Sequence, residues 1–188
     1  KDNQLQIGAM VSHLELMKSD IVKEKLAVLA AAAEDVGSPQ IRSRGTIGGN
    51  ICTSSPAGDL LAPLLSYEAD FKLQSAAGER IVAAEDFFTG PKRNLMESDE
   101  LLTKIIIPLT DNEREGSWVK VGRRKALVIS TLTLSIVLEF EDEKIVKAGI
   151  AMGSVAPTPI RLGGVEEMFL GSSLKDLDYR KLGEEVKA

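Results

Sequence analysis

The stretch RSRGTIGGNICTSSPAGD, residues 42–59, decides how this chain is read. Two adjacent glycines, Gly48 and Gly49, stand among Thr46, Asn50, Thr53, Ser54, Ser55 and Asp59. Little of the stretch can pack a core, yet the apolar run LLAPLLSY follows at once. Glycine frees the backbone to adopt positive φ. Two in succession can turn their N–H groups inward as a nest for an anion. A phosphate or pyrophosphate suits a nest, because its oxygens accept several donors together. The hydroxyls of Thr46, Thr53, Ser54 and Ser55 and the amide of Asn50 add donors. A helix starting near Pro56 or Pro63 would aim its positive end at the same place. Asp59 cannot serve a phosphate, but it can accept from the hydroxyl of a ribose or ribityl chain. Glycine- and serine-rich loops are also ordinary turns, so spacing alone leaves both readings open. The stretch lacks the terminal Lys-Ser/Thr of a P-loop, which disfavours ATP hydrolysis. It also lacks the spaced glycines of the Rossmann fingerprint.

Composition narrows the classes. A net charge of −5 argues against a nucleic-acid partner. Lys120, Arg123, Arg124 and Lys125 do gather locally, as a phosphate contact or as a solvated strand end. The single cysteine, Cys52, rules out an internal disulfide and fits a reducing, cytoplasmic setting. One histidine, His13, makes His-based metal sites and Ser-His-Asp catalysis improbable. His13 reads as a surface residue at a helix start, Cys52 as a buried inert thiol, and Trp118 and Tyr67 as core or interface residues. No apolar run reaches the roughly 18 residues that span a bilayer, and no signal peptide is visible.

Outward from the glycines, LQIGAM (5–10) reads as a strand, and Ser12 with Glu15 has capping-box spacing. Ser19 reads as the N-cap of one longer helix, stopped at Gly37. LLAPLLSYEA (60–69) reads as helix, FKLQS and RIVAA as a hairpin, EDFF as a short turn or helix, and ELLTKIIIPL (100–109) as a strand. The polar TDNEREG (110–116) reads as a boundary, giving units 1–110 and 111–188. SWVKVGR, STLTLSIVLEFE and KIVKAGIAMGSVA then read as an antiparallel meander with EDEK as a tight turn. Two helices follow, from VEEMFLG and DYRKLGEEVKA. The order is that of an α+β fold in two lobes.

QIRSRGTIGGNICTSSPAGDLLAPLLSYEAD closely resembles the second flavin-binding segment of the FAD-containing medium subunit of molybdenum hydroxylases. That family includes aerobic carbon monoxide dehydrogenase, nicotinate dehydrogenase and the FAD domain of xanthine dehydrogenase. The likeness continues through GERIVAAEDFFTGP, DELLTKIIIP and SWVKVGRRKAL, and more loosely through IVKAGIAMGSVAPTPIR. It implies the second lobe of a vanillyl-alcohol-oxidase-type (PCMH-type) FAD-binding domain. A small α+β domain like the carboxyl-terminal domain of the CO dehydrogenase flavoprotein would follow it. It further implies that Thr46, Ile47, Gly48, Gly49 and Asn50 line the FAD diphosphate and adjoining flavin. Thr53 and Asp59 would touch the cofactor, and Leu102 would pack near the adenine end. Lys120 would stand close to the flavin edge, where its charge stabilises the reduced, anionic ring. Ser43 stands where Asn is common, and Val128 where Asp is common. The family's earlier AGGTDL-type loop and its carboxyl tail are missing, so the chain reads as a fragment without the amino-terminal lobe.

The resemblance implies an electron-transfer flavoprotein. A molybdopterin-binding large subunit would hydroxylate substrate, a 2Fe–2S small subunit would carry electrons to FAD here, and NAD, a quinone or oxygen would accept them. No residue need be a general acid or base, since the redox chemistry belongs to the cofactor. A rival reading is a non-catalytic assembly or binding module of the same fold that has lost FAD. A nucleotide-sugar reductase of related flavin fold suits the carboxyl half less well.

Overall fold

The computed structural model describes residues 3–124 and 127–186. Strand β1 (Gln4–Gly8) leads into α1 (His13–Lys18). The capping box starts that helix. Glu15 N donates to Ser12 Oγ at 3.2 Å, and Ser12 N donates to Glu15 Oε2 at 2.8 Å. The single long helix expected from Ser19 is instead two, α2 (Asp20–Lys25) and α3 (Ala27–Glu34). Ser19 makes no side-chain capping bond, and the axis breaks at Leu26, at φ −136° and ψ 49°. Leu26 is fully buried, so the core claims its side chain at the cost of helical regularity. Gly37, at φ +45°, ends the run as expected.

Short helices α4 (Pro39–Arg44), α5 (Ile47–Thr53) and α6 (Leu61–Ser66) follow. Then come β2 (Asp70–Ser75), β3 (Gly78–Ala83), α7 (Ala84–Phe87), β4 (Phe88–Gly90), β5 (Arg93–Asn94) and β6 (Leu101–Pro108). An antiparallel sheet of order β1-β6-β2-β3 results. Its inner face carries Ile7, Phe71, Leu73 and Ile105 against α5 and α6. Phe71, Phe87 and Phe88 meet edge to face, with centroids 5.0 to 6.1 Å apart.

The second sheet has the order β10-β9-β8-β7. Its strands are β7 (Glu113–Gly122), β8 (Ser130–Glu141), β9 (Lys144–Gly153) and β10 (Ile160–Arg161). Asp142 and Glu143, both at positive φ, make the tight β8–β9 turn read from EDEK. The polar run 110–116 is only in part a connection. Residues Glu113 to Gly116 already pair with Phe140 to Val137. Their polarity is that of an edge strand, which faces water along one side.

The helices α8 (Gly163–Phe169) and α9 (Tyr179–Glu185) cover one face of this sheet. Val165, Phe169 and Leu182 pack there on Leu138, Ala148 and Ile150. The other face carries α3 and α6. A Cβ on Gly116 would lie 2.5 Å from Val28 Cγ2 and from the Ile136 carbonyl oxygen, so α3 rests directly on β7. A Cβ on Gly149 would overlap the Ser66 carbonyl oxygen, so α6 rests equally close on β9. Ser66 Oγ also donates to Ser135 O at 3.2 Å. Among the described residues, no helix is long and apolar enough to cross a membrane.

His13 is not on the surface. It is 3% exposed, beside Gly45, and Nδ1 has no hydrogen-bond partner. The α1–α4 packing buries it, and burial pushes its imidazole below the ordinary value of 6.5.

Gly149→Ala has no space for its methyl group against a backbone carbonyl and should lower the unfolding free energy by about 2 kcal/mol or more in urea titration. Gly183→Ala, in open space on α9, should instead raise it by about 0.5–1 kcal/mol. For His13, the unfolded chain takes up the proton first as pH falls through 6.5, so stability should drop below that pH. Thermal melts of His13→Gln across pH 5 to 8 should lose that part of the acid-side slope.

Candidate functional site

The residues of TIGGN form a helix rather than a nest. Thr46 is its N-cap, with the hydroxyl accepting from Gly49 N at 3.0 Å. Gly48 and Gly49 are absent from the positive-φ glycines, which are Gly37, Gly78 and Gly171. Their amides are used within the chain. Ile47 N donates to Val11 O at 2.9 Å, Gly48 N to Ala9 O at 2.9 Å, and Asn50 N to Thr46 O at 3.0 Å. What Gly48 supplies is close approach. A Cβ there would stand 2.7 Å from both the Cβ and the carbonyl oxygen of Ala9. Ile47 and Ile51, both fully buried, anchor the helix against the first sheet. It presents Gly49 and Thr53 to solvent, with Thr46 and Asn50 half-buried beside them.

Thr53 Oγ1 donates to Gly49 O at 2.7 Å, which leaves its lone pairs free. Asn50 Oδ1 is buried without a partner. Ser54, in the left-handed region at φ 47°, turns the chain out of α5. Asn94 Nδ2 fixes that turn by donating to Cys52 O at 3.1 Å and to Ser54 Oγ at 2.9 Å. Cys52 is half-buried 3.6 Å from Met96 Sδ, and burial pushes its thiol up, as suits an inert residue.

Asp59 and Lys120 meet each other. Lys120 Nζ donates to Asp59 Oδ2 at 2.7 Å and to Asp35 O at 3.0 Å. The side chains of the pair are only 8% and 10% exposed. Asp59 Oδ1 is buried and has no partner. Burial raises the Asp59 carboxyl above its ordinary value of 3.8. Lys120 opposes that rise and the Asp35 charge adds to it. Trp118, two residues from Lys120 on the same face of β7, donates its indole N–H to Asp35 Oδ2 at 2.8 Å. The positive charge expected of Lys120 is thus paired with a carboxylate.

Beside this group lies an open cleft of about 880 Å³. The turn between α3 and α4 forms one wall and the end of β7 the other, with Asp35, Arg42, Lys120, Arg123 and Arg124 among its lining residues. Arg42 Nη1 braces the turn by donating to Val36 O and Gly37 O, each at 3.1 Å. Val128 also lines the cleft, whereas Lys125 lies outside the described residues. Leu102 is in the core on β6, paired with Leu73 of β2, on the strand that packs against α5. The structure therefore gathers Thr46, Ile47, Gly48, Gly49, Asn50 and Thr53 on one helix, joins Asp59 to Lys120, and leaves Leu102 in the sheet. Asp35 and Arg42 were not read as site residues, and Trp118, read as a core or interface residue, packs half-buried against the core. Trp118 and Lys120 share strand parity, but nothing local links them to Asp35.

Asn50 Oδ1 and Asp59 Oδ1 are thus buried acceptors without partners, and the cleft beside Lys120 is rimmed by Arg123 and Arg124. Residues 1–110 match the family model for the FAD binding domain in molybdopterin dehydrogenase, and residues 117–188 match the CO dehydrogenase flavoprotein C-terminal domain. The chain belongs to this family, whose cofactor is FAD. It is 33% identical over 178 residues to the nicotinate dehydrogenase FAD-subunit of Eubacterium barkeri, covering 93% of this chain and 60% of that one. It is 34% identical over 167 residues to the carbon monoxide dehydrogenase medium chain of Hydrogenophaga pseudoflava, covering 89% and 58%. Among solved structures it is similar to carbon monoxide dehydrogenase from the same organism, with TM-score 0.92 and 31% identity over 98% of this chain and 64% of that one. Reconstituted CO dehydrogenase from Oligotropha carboxidovorans gives 0.91 and 32%, over 100% and 64%. The chain thus spans less than two thirds of the length of these relatives.

Lys120→Met should show what the buried pair contributes. Losing the ammonium strands Asp59 and lifts its carboxyl further, so the folded chain holds that proton above pH 3.8 while the unfolded chain has released it. The deficit should be about 3–5 kcal/mol near neutrality and should shrink as pH falls toward 4 in denaturant titrations. Lys120→Met with Asp59→Asn should recover part of it.

Proposed function

We propose that this chain is the FAD-holding part of the medium subunit of a molybdenum hydroxylase, carrying electrons rather than transforming substrate. The observation that carries the reading is the pair of family matches in order along the chain, with Gly49 of TIGGN on the outer face of α5 and Thr46 and Asn50 half-buried beside it. The residues fit the hydroxyl-bearing portion of FAD. Asp59 Oδ1 and Asn50 Oδ1 are buried acceptors with no partner, and sugar or ribityl hydroxyls are donors. They do not fit a clasp of the diphosphate by the Gly48 amide, which is spent on Ala9. Diphosphate contact falls instead to the side-chain amide of Asn50 and to close approach over Gly49, where no side chain intervenes. Lys120 and Asp59 would hold the far end, and Leu102 would back the adenine.

When bound, FAD would accept electrons from 2Fe–2S clusters on a small subunit and release them to NAD, a quinone or oxygen. The chain's own part is positional. Thr46, Asn50 and Thr53 set where the cofactor lies, and Asp59 fixes its register. No residue need move a proton, since the redox chemistry belongs to the cofactor. A large molybdopterin-binding subunit and a cytoplasmic location complete the proposal.

The test is the visible spectrum of the assembled subunit, with its partners, for wild type and Gly49→Ala. The methyl group lies on the exposed face 3.1 Å from Thr46 Oγ1, and alanine favours a helix, so folding should survive. FAD content should fall at least about fivefold, a loss on the order of 1 kcal/mol. Stoichiometric FAD in the variant would remove α5 from the site. A colourless, well-folded wild-type assembly would favour a module that has lost the cofactor.

A further inference from the structure

Lys120 has two acidic neighbours rather than one. Its ammonium bonds the Asp59 carboxylate at 2.7 Å and the Asp35 main-chain oxygen at 3.0 Å. The Asp35 carboxylate is held in place by the Trp118 indole at 2.8 Å. Asp35 and Lys120 both line the cleft of about 880 Å³, while Asp59 lies behind them. With both carboxylates ionised, the group carries two negative charges against one positive. The Asp35 charge adds, after burial, to the causes that raise the Asp59 carboxyl above its ordinary value.

We infer that Asp35 is a positioning residue that turns the charge of the Lys120 group at the cleft wall from neutral to net negative, against the arginines on the rim, and so makes any redox group held there harder to reduce. This rests on the reading that FAD occupies the site. Trp118 acts through Asp35. Its N–H fixes the carboxylate at the cleft wall, where a free aspartate on an exposed turn would swing into solvent. The sign is opposite to that of a bare lysine, which would favour the reduced, anionic ring. Asp35 is exposed, so its influence is exerted partly through water and is screened by salt.

The experiment uses the assembled holoenzyme and measures the midpoint potential of its FAD. Asp35→Asn keeps an oxygen for the Trp118 N–H and keeps the main-chain carbonyl, but removes the charge. FAD content should hold, and the oxidised-to-reduced equilibrium should shift three- to tenfold toward the reduced form. For a two-electron couple that is about 15–30 mV in the positive direction. The shift should shrink at high salt, which a merely structural perturbation would not reproduce. Asp35→Glu, which keeps the charge, should stay near wild type. If Asp35→Asn fails to assemble, Asp35→Ser, which also removes the charge, should give the same positive shift, and an unmoved potential there would overturn the inference. An unmoved or negative-going potential in Asp35→Asn with FAD present overturns the inference while sparing the proposed function. An assembly without FAD overturns both.

Discussion

The buried ion pair between Asp59 and Lys120 is the constraint around which the site is arranged. Its members lie 61 residues apart, one on the segment leaving α5 and the other on the edge strand of the second sheet. Withdrawing two charges from water costs several kcal/mol each, and mutual attraction offsets this only when both heads are well bonded. Here Lys120 finds a second acceptor in Asp35 O, while Asp59 Oδ1 finds nothing. The imbalance explains why burial prevails over the lysine in setting the Asp59 carboxyl. A carboxylate left half-satisfied has a standing deficit that a donor hydroxyl in the cofactor would remove.

Local rules made much of the fold legible. The Ser12 capping box, the hairpin of β2 and β3, the β8–β9 turn and the meander are each decided by residues within a few positions of one another. The failures share a cause of the opposite kind. Leu26 breaks a helix because the core takes its side chain. His13 is buried because α4 folds back over α1, and Gly45 leaves room for the ring. Residues Glu113 to Gly116 become strand because β8 offers a ladder, although their composition is that of a linker. In each case a partner distant in sequence overrides a correct local preference.

The site divides the same way. Its helical part could be located from TIGGN because those residues are contiguous, but their conformation was misjudged. Paired glycines disfavour a helix, and nothing nearby shows that Ile47 and Ile51 will be fully buried or that Ala9 will press on Gly48. Asp59 and Lys120 could be singled out by family resemblance, yet the bond between them could not. Asp35 lies 83 residues from the indole that holds it, and no motif marks it.

That α5 is a helix changes how the cofactor site should be understood. A nest of unpaired amides would be a liability without its anion, since buried N–H groups left unbonded cost free energy comparable to a lost hydrogen bond. In this chain the amides of residues 47, 48, 49 and 50 are already satisfied by Val11, Ala9 and Thr46. The backbone of the motif is therefore set by protein contacts, and a cofactor would meet a surface already in its final shape. Preorganisation of this kind lowers the ordering cost of binding. In the proposed site it would also move discrimination onto side chains, with the unpaired oxygens of Asn50 and Asp59 suited to hydroxyl donors and the Asn50 amide nitrogen to phosphate oxygens. Gly48 lets the helix lie against Ala9, and Gly49 keeps its outer face open.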